Sequence, residues 1–207
     1  MEKTVEDFFF DNYDLEVDKD NICLKLVDIS VTQLYDLLLS NKEKVKFISA
    51  ANIPQFSNLS LISSVLRIVN EADTANIDYE YIGEKLNVSR SQSAKVKYGE
   101  NHVKLAIQMG LVLKSPYRLT NLGKIYLLMK ESEQEEINRK LFFRIPIVQQ
   151  ITIKASEEHV NAMDIMASYL ARTTAIRRRG NIRKLFLEVI NDLPNEKGDM
   201  IKQNVSW

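Results

Sequence analysis

Apolar residues recur at helical spacing through most of the chain, and alternation is confined to short stretches. From residue 59 the pattern is sharpest. Ser60 is placed to cap a helix with Leu61, Ile62, Val65, Ile68 and Val69 on one face. Asp78 is placed to cap a second helix, "YEYIGEKL", with Ile82 and Leu86 inward. After "NVS", Ser89 and Gln92 have the spacing of a capping box and open a long helix that runs to about Met109. Gly110 follows, where a left-handed C-terminal residue is expected. "LVLK", "SP" and "YRLT" then read as strand, turn, strand, and "NLGKIYLLMK" returns to helix.

The order helix, helix, turn, long helix, hairpin, helix is that of a winged helix, in which the second of the paired helices enters the DNA major groove. A second unit follows. Ser132 and Glu135 form another capping-box pair before Ile137, Leu141 and Phe142, and Pro146 opens the next helix. "NAMDIMASYLA" and "TTAIRRRGNIRKLFLEVI" are further helices, the last with Thr173 and Thr174 as candidate caps. "PNEKGDMIKQNVSW" is either a second wing or a tail. The first 58 residues read as an α/β or mostly helical lead-in. "NICLKLVDI" alternates like a strand, "VTQLYDLLLSN" is a helix with Leu34, Leu37 and Leu38 inward, and "EKVKFISAANIP" is a strand ended by Pro54. The expected fold is therefore mostly α with short β-hairpin wings. Tandem winged-helix (helix-turn-helix) units at 59–130 and 131–207 follow a small N-terminal α/β segment, 1–58. That acidic segment is read as a docking or dimerisation element.

Charge changes the picture more than composition does. The 207 residues are 45% apolar and 27% charged, an ordinary globular profile, with a net charge of zero. The charges are not evenly spread. Residues 81–130 hold 9 basic residues against Glu84 and Glu100, and 172–184 hold 6 basic residues and no acid. Two basic islands in an acidic chain are the local footprint that phosphate binding requires.

Placing residues 100° apart tests which faces these islands present. In the long helix Val96, Val103 and Ile107 mark the buried face, with Gly99 beside them at a close helix crossing. Opposite lie Arg90, Ala94, Lys97, Tyr98 and Asn101, with Ser91 and Lys95 at the flank. The small residue allows approach, the amide can read adenine, and the cations can take guanine or phosphate. In the last helix Ile182, Leu185, Phe186 and Val189 face inward, while Arg177, Gly180, Asn181 and Lys184 face outward. Arg178 lies near the apolar stripe and leaves the core at the helix end; Arg179 and Arg183 occupy the border. Cations at a helix N-terminus oppose its dipole by ~0.3–1 kcal/mol each, a defect that a phosphate partner turns into an advantage. With Arg118 of the hairpin, the candidate DNA-binding residues are Arg90, Ser91, Lys95, Lys97, Tyr98, Asn101, Arg177, Arg178, Arg179, Asn181 and Lys184.

Residues 79–191 resemble a tandem winged-helix region of bacterial restriction-modification and phage-defence proteins. The resemblance rests on "SRSQSAKVKYGENHVKLAIQMGLV", "YRLTNLG", "LFFRIPIVQQ" and "TTAIRRRGNIRKLFLEVI". In that family the last helix carries a tryptophan near its end, where Phe186 or Leu187 stands here. The resemblance implies double-stranded DNA binding in the service of defence, often beside a nuclease or an ATPase.

Catalytic motifs are weak. "EKVKF" and "DLEVDKD" hold the residue types of a metal-dependent nuclease but no convincing pair of strands. His102 and His159 have no cysteine or carboxylate at zinc-ligand spacing and read as surface or packing histidines. Cys23 is the one cysteine, which fits a cytoplasmic protein, and no phosphate-binding glycine loop occurs. No catalytic site, metal or cofactor is expected. The expected partners are double-stranded DNA, a nuclease or ATPase, and a second copy of the chain; no run of eighteen apolar residues suggests a membrane. The competing readings are a winged-helix adaptor that binds protein, and a restriction endonuclease in its own right.

Overall fold

The computed structural model describes residues 29–44, 48–72, 77–86, 91–114 and 116–207. It is mostly helical, with two small two-stranded sheets. The first helix, α1 (Val31–Ser40), starts where Ser30 Oγ accepts from the Gln33 amide at 3.1 Å and Gln33 Oε1 accepts from the Ser30 amide at 2.8 Å. Val31, Leu34, Tyr35 and Leu38 are buried and Leu37 is half-buried. The strand expected over "EKVKFISAANIP" does not form among the described residues. Short 3₁₀ turns occupy Lys42–Lys44 and Ala50–Asn52 instead. The expected "NICLKLVDI" strand lies outside the described residues, apart from Ile29.

Helix α2 (Ile62–Glu71) begins later than its sequence pattern suggests, because Leu59–Leu61 form a 3₁₀ turn. Ser60 caps nothing there; its Oγ donates to Asn58 Oδ1 at 2.7 Å. Helix α3 (Tyr79–Lys85) is capped as expected, with Asp78 Oδ1 accepting from the Tyr81 amide at 2.7 Å. The long helix α4 (Gln92–Gln108) has Ser91 as its N-cap, while Ser89 lies outside the described residues. Gly83 and Gly99 let α3 and α4 cross closely. A Cβ on Gly99 would overlap the Tyr79 carbonyl, and one on Gly83 would overlap that of Lys95.

Gly110 has φ 76° and ends α4 as predicted. Its amide donates to Ile107 O and that of Leu111 to Ala106 O, both at 2.9 Å, closing the two bonds of a Schellman motif. Strands β1 (Val112–Leu113) and β2 (Arg118–Leu119) pair antiparallel, Val112 opposite Leu119. Thr120 joins three elements: its Oγ1 donates to Gly110 O at 2.8 Å and accepts from the Gly123 amide at 2.9 Å, starting α5 (Asn121–Tyr126).

In the second half, α6 (Glu131–Leu141) starts at Lys130, whose amide donates to Glu133 Oε2 at 2.7 Å. Ser132 is therefore inside the first turn and is not its cap. Pro146 opens α7 (Pro146–Glu157) at the position where a missing N–H costs nothing. Asn161 caps α8 (Ala162–Ala167), donor Met163 N, at 2.8 Å. Helix α9 (Arg172–Ile190) has Ala171 as its N-cap with no side-chain bond, so Thr173 and Thr174 sit within the helix rather than capping it. The C-terminal stretch forms α10 (Asn195–Asn204), then β4 (Val205–Ser206), which pairs parallel with β3 (Val160–Asn161). A parallel pair drawn from distant segments cannot be a hairpin, so the second sheet is not a hairpin like the first.

The buried apolar side chains form one cluster from Val31 to Val205. Ile182, Leu185, Phe186 and Val189 of α9 are fully buried in it, as their spacing requires. Trp207 closes over Phe186, ring centroids 5.5 Å apart. Helix α1 packs on α6 and α7, and ion pairs tie Lys42 to Glu157 and Lys197 to Asp36, the latter at 2.8 Å. Part of the N-terminal segment thus docks within its own chain.

Candidate functional site

The two basic helices face a common cleft of 410 Å³. Ala94, Lys97, Tyr98 and Asn101 of α4 line one wall, and Arg177, Arg178 and Asn181 of α9 line the other. Its floor is Gln55 and Phe56, from a strap spanning residues 50–57 that crosses between the helices. Sequence spacing had no means of finding this strap; it reads residues up to Pro54 as the end of a strand, where Ala50–Asn52 form a 3₁₀ turn.

The strap explains where several predicted residues went. Arg178 Nη1 donates to Ala50 O at 3.0 Å and to Ile53 O at 2.7 Å. Asn181 Nδ2 donates to Gln55 O at 2.6 Å, while its Oδ1 accepts from Ser57 Oγ at 3.0 Å. On the other side, Gln108 Nε2 donates to Ala51 O at 3.2 Å. Phe56 meets the Tyr98 ring edge to face, at 6.0 Å and 87°, and the His102 ring at 4.9 Å. Arg178 and Asn181, both candidate DNA contacts, are thus engaged with the strap, and Asn181, expected to face outward, is corrected to half-buried. The backbone carbonyls of an irregular segment need donors, and these two side chains supply them.

Asn101 is also corrected. It is 7% exposed, because the strap and α9 cover the side of α4 expected to be open. Its Oδ1 has no hydrogen-bond partner among the described residues, and leaving a buried acceptor unmade costs about 1–3 kcal/mol. Tyr98 is half-buried against Phe56 and His102 rather than displayed. His102 is fully buried, with Nδ1 2.8 Å from Tyr98 O, whereas His159 is exposed. Lys95 is half-buried and lies 3.8 Å from Glu84 of α3.

The remaining candidates are open. Ser91, Lys97, Arg118, Arg177, Arg179 and Lys184 are exposed, Arg118 on β2 and outside the cleft. Arg90 lies outside the described residues. Arg177, Gly180 and Lys184 fall along one side of α9, and the space over Gly180 is empty for 4 Å. Lys97 is partly neutralised: its Nζ lies 2.5 Å from Glu100 Oε2, and Lys104 Nζ reaches Glu100 Oε1 at 2.5 Å. Hydrogen bonds from Lys104 and then Lys97 hold the Glu100 carboxyl below its ordinary range. On α9, burial and then the neighbouring Arg177 charge pull the Arg178 guanidinium below its usual value.

A larger cavity of 610 Å³ lies between α2 and α6. It mixes Arg67 and Arg139 with Glu131, Glu135 and Glu188, and none of the predicted residues lines it. The fold and cleft thus define a mostly helical protein in which two cation-bearing helices are braced at a fixed spacing. No helix among the described residues is long and apolar enough to cross a membrane. No protein-family model, curated protein or solved structure matches the chain significantly.

Proposed function

We propose that this chain binds double-stranded DNA, as a protein or as the recognition subunit of a restriction or phage-defence system, with both basic helices addressing one duplex. The observation that carries the reading is the convergence of α4 and α9 on a single cleft, with the strap holding their spacing. In this reading α2, α3, α4, the β1–β2 hairpin and α5 form a winged helix, and the helices from α6 to α9 form a second helix-turn-helix unit. Arg177, Arg179 and Lys184 neutralise phosphates from α9, while Ser91 and Lys97 approach from α4. Arg178 and Asn181 set the geometry without touching DNA. An effector nuclease or ATPase acts as a separate partner.

Fluorescence anisotropy on a mixed-sequence duplex, at about 50 mM and about 200 mM salt, tests this. The double variant Arg177→Ala, Arg179→Ala is expected to weaken binding about tenfold or more and to reduce the salt slope by about 2. Affinity and slope equal to those of the unaltered protein would exclude the assignment.

A further inference from the structure

The cleft holds more chemistry than a duplex backbone uses. Its α9 wall carries Arg177 beside Arg178, two cations for which no ion pair with a carboxylate is found among the described residues. Its floor and opposite wall bring Phe56 and Tyr98 together at 87°, an aromatic corner against which a flat ring can lie. Asn101 lines this cleft and also a small pocket beside the strap; it is 7% exposed, and among the described residues its Oδ1 accepts no hydrogen bond. The volume, 410 Å³, lies within the ~300–1,000 Å³ range of small-ligand sites.

A ligand that satisfies all of these has an anion at one end, a planar ring, and an N–H donor on the ring edge. Inorganic phosphate leaves the aromatic corner and Asn101 unmatched. A regular duplex offers phosphates and base edges but keeps its base faces stacked, so none can lie on the aromatic corner. The geometry points to a single nucleotide with an amino-bearing base: phosphate on Arg177, base on the Phe56–Tyr98 corner, amino group on Asn101. Such a nucleotide has two sources, one everted from a bound duplex and one free in solution. Only the first source rests on the DNA-binding reading; the cleft chemistry stands without it. Arg178 stays on the strap and adds its charge from behind Arg177.

The experiment has two arms on the full chain. In the first, calorimetry measures binding of AMP, purine riboside 5′-monophosphate, adenosine and inorganic phosphate. In the second, a duplex with one 2-aminopurine is saturated with protein and its fluorescence is read. Saturable AMP binding, weakened about tenfold or more by loss of the phosphate or by Arg177→Glu, identifies the free nucleotide. Arg177 is exposed, so this change leaves the core intact. Asn101→Leu is expected to erase the preference for AMP over purine riboside 5′-monophosphate, which lacks the amino group. A fluorescence rise that Phe56→Ala abolishes at full duplex occupancy identifies the everted nucleotide. Duplex binding with unchanged fluorescence and no AMP binding overturns the inference while leaving the DNA reading standing. AMP binding without any duplex binding does the reverse. Phosphate binding as tight as AMP, indifferent to Asn101→Leu and Phe56→Ala, also overturns it.

Discussion

The Arg178 guanidinium donates from Nη1 to the carbonyl oxygen of Ile53 at 2.7 Å, joining residues 125 positions apart in the chain. A second bond to Ala50 O, at 3.0 Å, makes the arginine a bracket on the strap. Hydrogen bonds from a charged donor contribute about 1.5–3 kcal/mol, so Arg178→Ala is expected to lower unfolding stability by roughly that amount. Urea denaturation measures it. Arg177→Ala, at an exposed position on the same helix, is expected to leave the urea midpoint nearly unchanged and weaken DNA binding instead. Equal stability losses for the two variants would deny the division of labour between bracket and phosphate contact.

Gly180 stands mid-helix on α9 with nothing near its Cβ position. Alanine there is expected to raise stability by about 0.5–1 kcal/mol, the usual helix-interior difference. If the α9 backbone approaches a phosphate, the added methyl also lowers duplex affinity several-fold. Thermal denaturation and anisotropy together check both signs, and a stabilised variant with full affinity would place the DNA elsewhere on the helix.

Gly99 is the opposite case. A Cβ there would overlap the backbone carbonyl of Tyr79, which cannot rotate aside as a side chain would. Gly99→Ala is expected to cost at least about 1–3 kcal/mol, because α3 and α4 must separate. Chemical denaturation of the variant, with circular dichroism to follow helix content, tests the crossing.

Glu100 makes a pH-dependent prediction. Its carboxyl is held below the ordinary range, first by the Lys104 hydrogen bond and then by that of Lys97. A lowered folded value means the ion pairs stabilise the fold above the unfolded carboxylate pKa, about 4.3, and that this stability fades as pH falls through the folded value. Glu100→Gln is expected to lose about 0.5–1 kcal/mol at neutral pH and to converge with the unaltered protein in acid. The same change frees Lys97, so duplex affinity at neutral pH rises. A stability difference that persists unchanged in acid would rule out the ion pairs as its source.

Much of the local structure was legible from residue order alone. Asp78, Gly110 and Pro146 act within a few positions of themselves, through a cap, a left-handed turn and a missing amide, and they do in the structure what their spacing implies. The apolar stripe of α9 is set the same way, because Ile182, Leu185, Phe186 and Val189 share one side of any helix they form. One cap failed where a neighbouring residue took the position, as Lys130 did from Ser132.

Only the tertiary structure decided which polar faces stay open. A helical projection places Asn101 and Asn181 away from the main apolar stripe and Arg178 near it, but it carries no information about a distant segment that crosses all three. The strap at 50–57 does so, burying Asn101 and engaging the other two through backbone carbonyls that need donors. Gly99 and Gly180 are alike on paper as mid-helix glycines; one meets the Tyr79 carbonyl and the other meets open space. The residue order determined two basic helices, and long-range packing determined that they share one cleft.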